Sequence, residues 1–196
     1  MDWSRHAKIL WMARLLKQGG VIAYPTEAVW GLGCDPFNEQ AVYRLLALKQ
    51  REVKQGLILV AADVQQLAPF LRGISEQQRQ QLMASWPGPV TWLVADNGKA
   101  PDWIRGQHSS VALRVVDHPI VVGLCRAFGG PLVSTSANPR GKRSARNRLD
   151  VHRYFHQETT NCAQYGLDAI APGLVGQRKH TSEIRDLTSG EIIRAG

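Results

Sequence analysis

A chain of 196 residues, 44% hydrophobic and 20% charged, has the composition of an ordinary globular domain, which excludes disordered, collagenous and fibrous chains. A chain of this length buries roughly 70% of its unfolded surface, so one domain over residues 1–196 needs neither disulfides nor a structural metal. With 24 basic against 16 acidic residues the net charge is +8, a field that favours anionic partners such as nucleotides, tRNA or acidic lipid.

Residues 4–17 place Ala7, Leu10, Ala13 and Leu16 on one helical face, and Gly19-Gly20 stops that helix ahead of a short strand at 21–24. Pro25 then opens a glycine-containing loop. Asn38 caps a second helix with an apolar stripe of Ala41, Val42, Leu45, Leu46 and Leu48, ending in the basic Lys49-Gln50-Arg51. Residues 57–61 read as a buried strand. Asp63 caps a short helix to Leu71, and Ser75 with Gln78 forms a capping box for a helix running to Trp86. The β-rich runs 91–95 and 111–116 follow, separated by a loop without a regular pattern.

Asp117 is positioned to cap the next helix, with Pro119 in its first turn and Ile120, Val121, Leu124 and Phe128 on its core face. A strand at 132–134 comes next. Near the C-terminus, 183–187 and 191–194 flank Ser189-Gly190 as a β-hairpin. Strands and helices interleave without strict βαβ alternation, which predicts an α/β or α+β domain with a twisted mixed sheet flanked by helices.

Cys34, Cys125 and Cys162 are odd in number, far apart and in no CxxC pair, which speaks against a disulfide framework or zinc ribbon and fits a reducing, cytoplasmic setting. No apolar run reaches the roughly 18 residues of a membrane span, and the basic N-terminus reads as a mature helix rather than a targeting peptide. P-loop, GxGxxG, HExxH and GxSxG motifs are absent from the sequence. His152 and His156 are spaced to share a helical face, but without a third ligand they read as a solvated helix, and no metal site is expected.

Four polar segments interrupt strand or helix ends, where ligand sites collect on open α/β sheets. Residues 24–33 (YPTEAVWGLG) offer a hydroxyl, a carboxylate and close backbone approach, though a structured turn would read the same. Lys49 and Arg51 stand at a helix C-terminus, where cations also complement the helix dipole. Ser134-Thr135-Ser136-Ala137-Asn138 is a polar end to an apolar strand, suited to phosphate or carboxylate oxygens. Arg140, Lys142, Arg143, Arg146 and Arg148 are five cations in ten residues, either a solvated loop or a grip on phosphates.

Taken in this order, the segments resemble the YrdC family, whose members are threonylcarbamoyl-AMP synthases serving threonylcarbamoyladenosine formation in tRNA. PTEAVWGLG is similar to the family's PTET-VYGLG signature, Lys49-Gln50-Arg51 to its KxR, Ser136-Ala137-Asn138 to its SxN and residues 86–91 (WPGPVT) to its WPGP segment. Residues 110–114 (SVALR) and 182–186 (SEIRD) are also similar, so the resemblance covers nearly the whole chain and points to the short bacterial form.

The resemblance implies a twisted mixed sheet with a large, basic concave pocket. It implies a nucleotidyltransferase reaction in which L-threonine, bicarbonate and ATP, carried as its Mg2+ complex, give threonylcarbamoyl-adenylate and pyrophosphate. Lys49 and Arg51 would be the catalytic electrostatic clamps; Ser110, Ser136, Asn138, Ser144 and Arg194 would join them on ATP. Thr26, Arg114, Ser134 and Ser182 would face threonine, with Arg114 as the carboxylate fork. A downstream tRNA threonylcarbamoyl-transferase complex is the implied partner.

Two departures stand out: Ala28 where relatives carry a second threonine, and Glu52 where they carry proline. The rival reading is a non-catalytic module binding double-stranded RNA or tRNA, or acting in ribosome maturation, for which the net charge and the basic loop would suffice. A carbamoyl-transfer role like that of the related domain in hydrogenase-maturation proteins lacks the accompanying acylphosphatase-like or zinc-finger segments.

Overall fold

The computed structural model of the chain describes residues 2–155 and 166–196. A 3-10 turn at Trp3–Arg5, capped by the Asp2 carboxylate, leads through His6 into α1 (Ala7–Lys17). Its buried stripe is Ile9, Met12, Ala13 and Leu16, while Leu10 is 41% exposed. Counted from Ile9 at i, i+3, i+4 and i+7, the bulkier side chains take the core, which turns the face away from the expected Ala7 and Leu10.

β1 (Ile22–Pro25) turns through 26–29 into β2 (Trp30–Gly33), antiparallel with Ile22 opposite Gly33. The expected glycine-containing loop at 30–33 is therefore a strand, buried along its length. Gly33 is there for close approach, since a Cβ would stand 2.5 Å from the Val133 carbonyl and 2.7 Å from the Tyr24 hydroxyl. α2 (Glu39–Lys49) is capped by Asn38 as expected and stops at Gln50, whose φ of 51° is left-handed.

After β3 (Ile58–Ala61), residues 63–71 form only one 3-10 turn, Gln65–Leu67, not the expected helix. The turn is held by i→i+3 bonds (Leu67 N–H to the Val64 carbonyl, Ala68 N–H to the Gln65 carbonyl), Pro69 has no N–H to continue a helical ladder, and the Gln66 side chain is committed to Ala62 N and the Cys125 carbonyl. α3 (Glu76–Ser85) carries the reciprocal Ser75–Gln78 capping box. β4 (Val90–Ala95) precedes a one-turn helix, α4 (Asp102–Arg105), in the stretch expected to be irregular.

β5 (Ser110–Val115) leads to α5 (Pro119–Phe128), where the N-cap is His118 and not Asp117. Asp117 instead gives its backbone N–H to Glu27. β6 (Leu132–Ser136), α6 (Arg148–Phe155), β7 (Ala169–Ile170), β8 (Glu183–Asp186) and β9 (Ile192–Arg194) complete the described elements, with β8 and β9 forming the expected hairpin. His152 is exposed on α6; His156 and Cys162 lie outside the described residues. No helix among the described residues is long and apolar enough to cross a membrane.

The strands form one mixed sheet in the order β7-β1-β2-β6-β3-β5-β4-β8-β9. β1–β7, β3–β5 and β4–β8 are parallel pairs and the rest antiparallel. Side chains alternate along each strand, so the sheet feeds two cores. Ile22, Tyr24, Val60 and Leu132 pack with Ile9, Met12 and Leu16 of α1 and with Ile120, Val121 and Leu124 of α5. Val21, Ala23, Leu59, Ala61 and Val133 pack into the larger core with Val42, Leu45 and Leu46 of α2 and Leu82 of α3.

Candidate active site

A concave cavity of about 540 Å3 opens over the middle of the sheet. The register explains its floor: Ser134, Ile58, Ala112 and Leu93 stand opposite one another across β6, β3, β5 and β4, and Val60 stands opposite Arg114 in the next row. All of them line the cavity. The floor is thus short or apolar side chains edged by hydroxyls. Its walls come from the 26–31 turn, residues 51–57, the hydroxyl end of β6, Ser144, and residues 178–194 of the C-terminal segment.

Thr26 follows Pro25 out of β1, and both its backbone N–H and its hydroxyl donate to the Val29 carbonyl, at 3.0 and 2.7 Å. That leaves the Thr26 oxygen as an acceptor on the wall. Arg114, buried on β5, donates from Nε to the Gly88 carbonyl at 2.8 Å and pairs through Nη2 with Glu27 Oε1 at 2.6 Å. Ser182 accepts from Thr91 at 2.9 Å, and Arg194 donates to the Ser182 carbonyl at 2.6 Å, tying the C-terminal hairpin to the cavity.

Arg51 faces the cavity, with Nη2 donating to the Gly56 carbonyl at 2.9 Å. Burial, then the charge of Arg194, lowers the Arg51 pKa from its ordinary value; burial, then Arg114, does the same to Arg194. Arg194 is therefore close enough to repel Arg51 on one side and to be repelled by Arg114 on the other, within one partly dry space. Such a site is poised for a polyanion, which would relieve that repulsion.

Lys49 sits one layer back. It is 6% exposed and is absent from the cavity wall; its ammonium donates to the Ser136 carbonyl, to the Asn138 carbonyl at 2.9 Å and, at 3.5 Å, to Asn138 Oδ1. Burial, then Arg51, brings its pKa down to about 8. Asn138 also lies behind the wall, accepting from the Ser136 hydroxyl at 2.6 Å and donating from Nδ2 to the Lys142 carbonyl at 2.8 Å. Thus Thr26, Arg51, Ser110, Arg114, Ser134, Ser136, Ser144, Ser182 and Arg194 line one cavity, with Lys49 and Asn138 bracing the loop beside it.

Sequence reasoning gave no individual role to Glu27, Arg105, His108, Arg178 or His180, all of which line the cavity. Glu27 was visible as a carboxylate between Thr26 and Ala28; the other four stand in segments with no periodicity to mark them. Among the cavity-lining residues Glu27 is the one carboxylate. Ala28 is on the wall and 4% exposed, so the missing hydroxyl is missing from the cavity itself. Glu52 is exposed and paired with Lys54 at 2.6 Å, which lowers its carboxyl pKa and directs its charge to that lysine.

No group of three or more His, Cys, Asp or Glu side chains suited to a metal ion occurs among the described residues. Arg140, Lys142, Arg143, Arg146 and Arg148 are exposed.

A family model, Sua5_yciO_yrdC, described as "Telomere recombination", matches residues 14–196. The threonylcarbamoyl-AMP synthase of Cellvibrio japonicus (strain Ueda107) is 57% identical over 194 residues, which cover 99% of this chain and 98% of that protein. The crystal structure of P. abyssi Sua5 complexed with L-threonine matches with a TM-score of 0.84 at 29% identity over 98% of this chain and 53% of the other, so this chain spans about half of that protein. E. coli YciO shares the fold, with a TM-score of 0.80 at 22% identity over 96% of this chain and 89% of the other. Since the family model takes in both the residues that line the cavity and those that brace it, the chain belongs to the Sua5/YciO/YrdC family.

Proposed function

We propose that the protein is a threonylcarbamoyl-AMP synthase, condensing L-threonine, bicarbonate and ATP into threonylcarbamoyl-adenylate with release of pyrophosphate. The observation that carries this reading is the convergence of Arg51, Arg114 and Arg194 with Thr26, Ser134, Ser136 and Ser182 on one cavity. The name of the Cellvibrio relative and the threonine held by P. abyssi Sua5 support it.

The chemistry assigns the parts. The threonine carboxylate docks on the Nη1 side of Arg114, away from the Gly88 carbonyl and Glu27, and Thr26, Ser134 and Ser182 take its amine and hydroxyl. The amine attacks bicarbonate, forming the carbamate with loss of water. A carbamate oxygen then attacks the α-phosphorus of ATP, and the bond to pyrophosphate breaks. Negative charge grows on phosphate oxygens in that step, and Arg51 and Arg194 stabilise it from the wall. Lys49 adds positive field from behind and holds the 136–138 loop, while Ser110, Ser136 and Ser144 complete the nucleotide side.

Mg2+ enters as part of the nucleotide complex, because the one carboxylate on the wall is already engaged by Arg114. The mixed anhydride product calls for a transferase that carries the threonylcarbamoyl group to tRNA. Pyrophosphate release, measured with ATP, threonine and bicarbonate and with each omitted in turn, tests the reading. Release that needs all three, with threonylcarbamoyl-AMP identified by mass, is the expected result. Release without threonine, or none from folded protein, overturns it.

A further inference from the structure

We propose that Glu27 is the positioning residue for Arg114, and that its buried carboxylate sets how tightly threonine is held; the inference rests on the reading of Arg114 as the carboxylate fork. Glu27 is the one carboxylate among the cavity-lining residues and stands among five lining arginines: Arg51, Arg105, Arg114, Arg178 and Arg194. It is 9% exposed, and Oε2 is enclosed without a hydrogen-bond partner among the described residues. The carboxylate is therefore turned into the wall rather than offered to a ligand. What it does there is hold a guanidinium.

Arg114 has two edges to commit. Nε is taken by the Gly88 carbonyl at 2.8 Å and Nη2 by Glu27 Oε1 at 2.6 Å, so the planar group is fixed at two points, with Nη1 unengaged among the described residues. The carbonyl is itself held in place: Gly88 N–H bonds to the Val115 carbonyl at 3.0 Å, and a Cβ on Gly88 would meet the Ser85 carbonyl at 2.5 Å. Glu27 is held from three sides. Oε1 accepts the Asp117 N–H at 3.0 Å, its own carbonyl accepts from Arg178 N at 3.1 Å, and a Cβ on Gly176 would lie 2.8 Å from that carbonyl. An orientation fixed before the ligand arrives spares the ordering cost of binding.

The test is steady-state kinetics and direct threonine binding by calorimetry on full-length E27A and E27Q, with R114A beside them. E27A should raise the threonine KM by about tenfold to a hundredfold, the span expected for one charged hydrogen bond, and leave the ATP KM within about twofold. E27Q, which keeps the shape and an acceptor for Nη2, should recover part of the loss. E27Q is the deciding variant if E27A does not fold. Threonine binding unchanged in E27Q, or threonine and ATP constants moving together in both variants, overturns the inference as a merely structural carboxylate. R114A that still binds threonine normally overturns the reading of Arg114 and the inference with it. R114A that loses threonine while both Glu27 variants keep it overturns the inference alone.

Discussion

At the scale of single residues, Lys49 and Arg51 show how two cations a residue apart come to do different work. The helix ends at Gln50, whose left-handed backbone turns the chain so that Lys49 points into the structure and Arg51 into the cavity. For Lys49, with a pKa of about 8, burial disfavours the charged form in the folded state. The sign follows: the unfolded chain binds more protons between about 8 and the ordinary 10.5, so this group's burden on stability lightens as pH rises through that window. Nucleotide binding should move the other way, because deprotonation removes the charge bracing Ser136 and Asn138. ATP affinity, measured without threonine so that its amine does not titrate in the assay, should fall from about pH 7 to about pH 9, and the fall should be absent in K49R. The polar pattern showed where these residues gather. It did not show which of them face the ligand, since that depends on one backbone torsion at Gln50.

At the scale of elements, the β1–β2 hairpin carries the Thr26–Gly31 edge of the cavity, and its closeness to β6 depends on glycine. Gly31 stands opposite Ser136, and Gly33 lies against Val133 and the Tyr24 ring, whose hydroxyl donates to the Val133 carbonyl at 3.0 Å. G33A should therefore push β2 away from β6 and cost about 1–3 kcal/mol, the usual penalty of overpacking, read as a lower denaturant midpoint at unchanged slope. The same feature explains why β2 was not legible. Trp-Gly-Leu-Gly has the composition of a loop, and only the tertiary neighbours reveal that the glycines admit a carbonyl and a ring. α4 and β7 were missed for a simpler reason: four and two residues are too few for periodicity to show. By contrast, α2 and α3 announced themselves through Asn38 and through the Ser75–Gln78 box, local chemistry that needs no tertiary contact.

At the scale of the molecule, the mixed sheet was foreseeable from the pattern of elements, whereas the C-terminal hairpin was placed at the cavity only by the family resemblance, through Ser182 and Arg194. Arg194 lies 80 residues beyond Arg114 in the sequence. It reaches the cavity because β8 pairs in parallel with β4, and that pairing depends on contacts such as Thr91–Ser182 that no local pattern encodes. The consequence is electrostatic. With Arg51, Arg114 and Arg194 in one partly buried space on a chain of net charge +8, the empty protein carries repulsion that an anion removes. ATP or pyrophosphate at about a hundred times its dissociation constant should then raise the melting temperature by roughly 5–10 °C for a chain of this size. Threonine, with one carboxylate beside an arginine already paired with Glu27, offsets less of that repulsion and at moderate concentration should raise it less. On the proposed assignment of Arg51 to the phosphates and Arg114 to the amino acid, the pyrophosphate shift should shrink in R51A while the threonine shift stays. An equal loss of both shifts would mean that the arginines act as one undivided field rather than as two subsites.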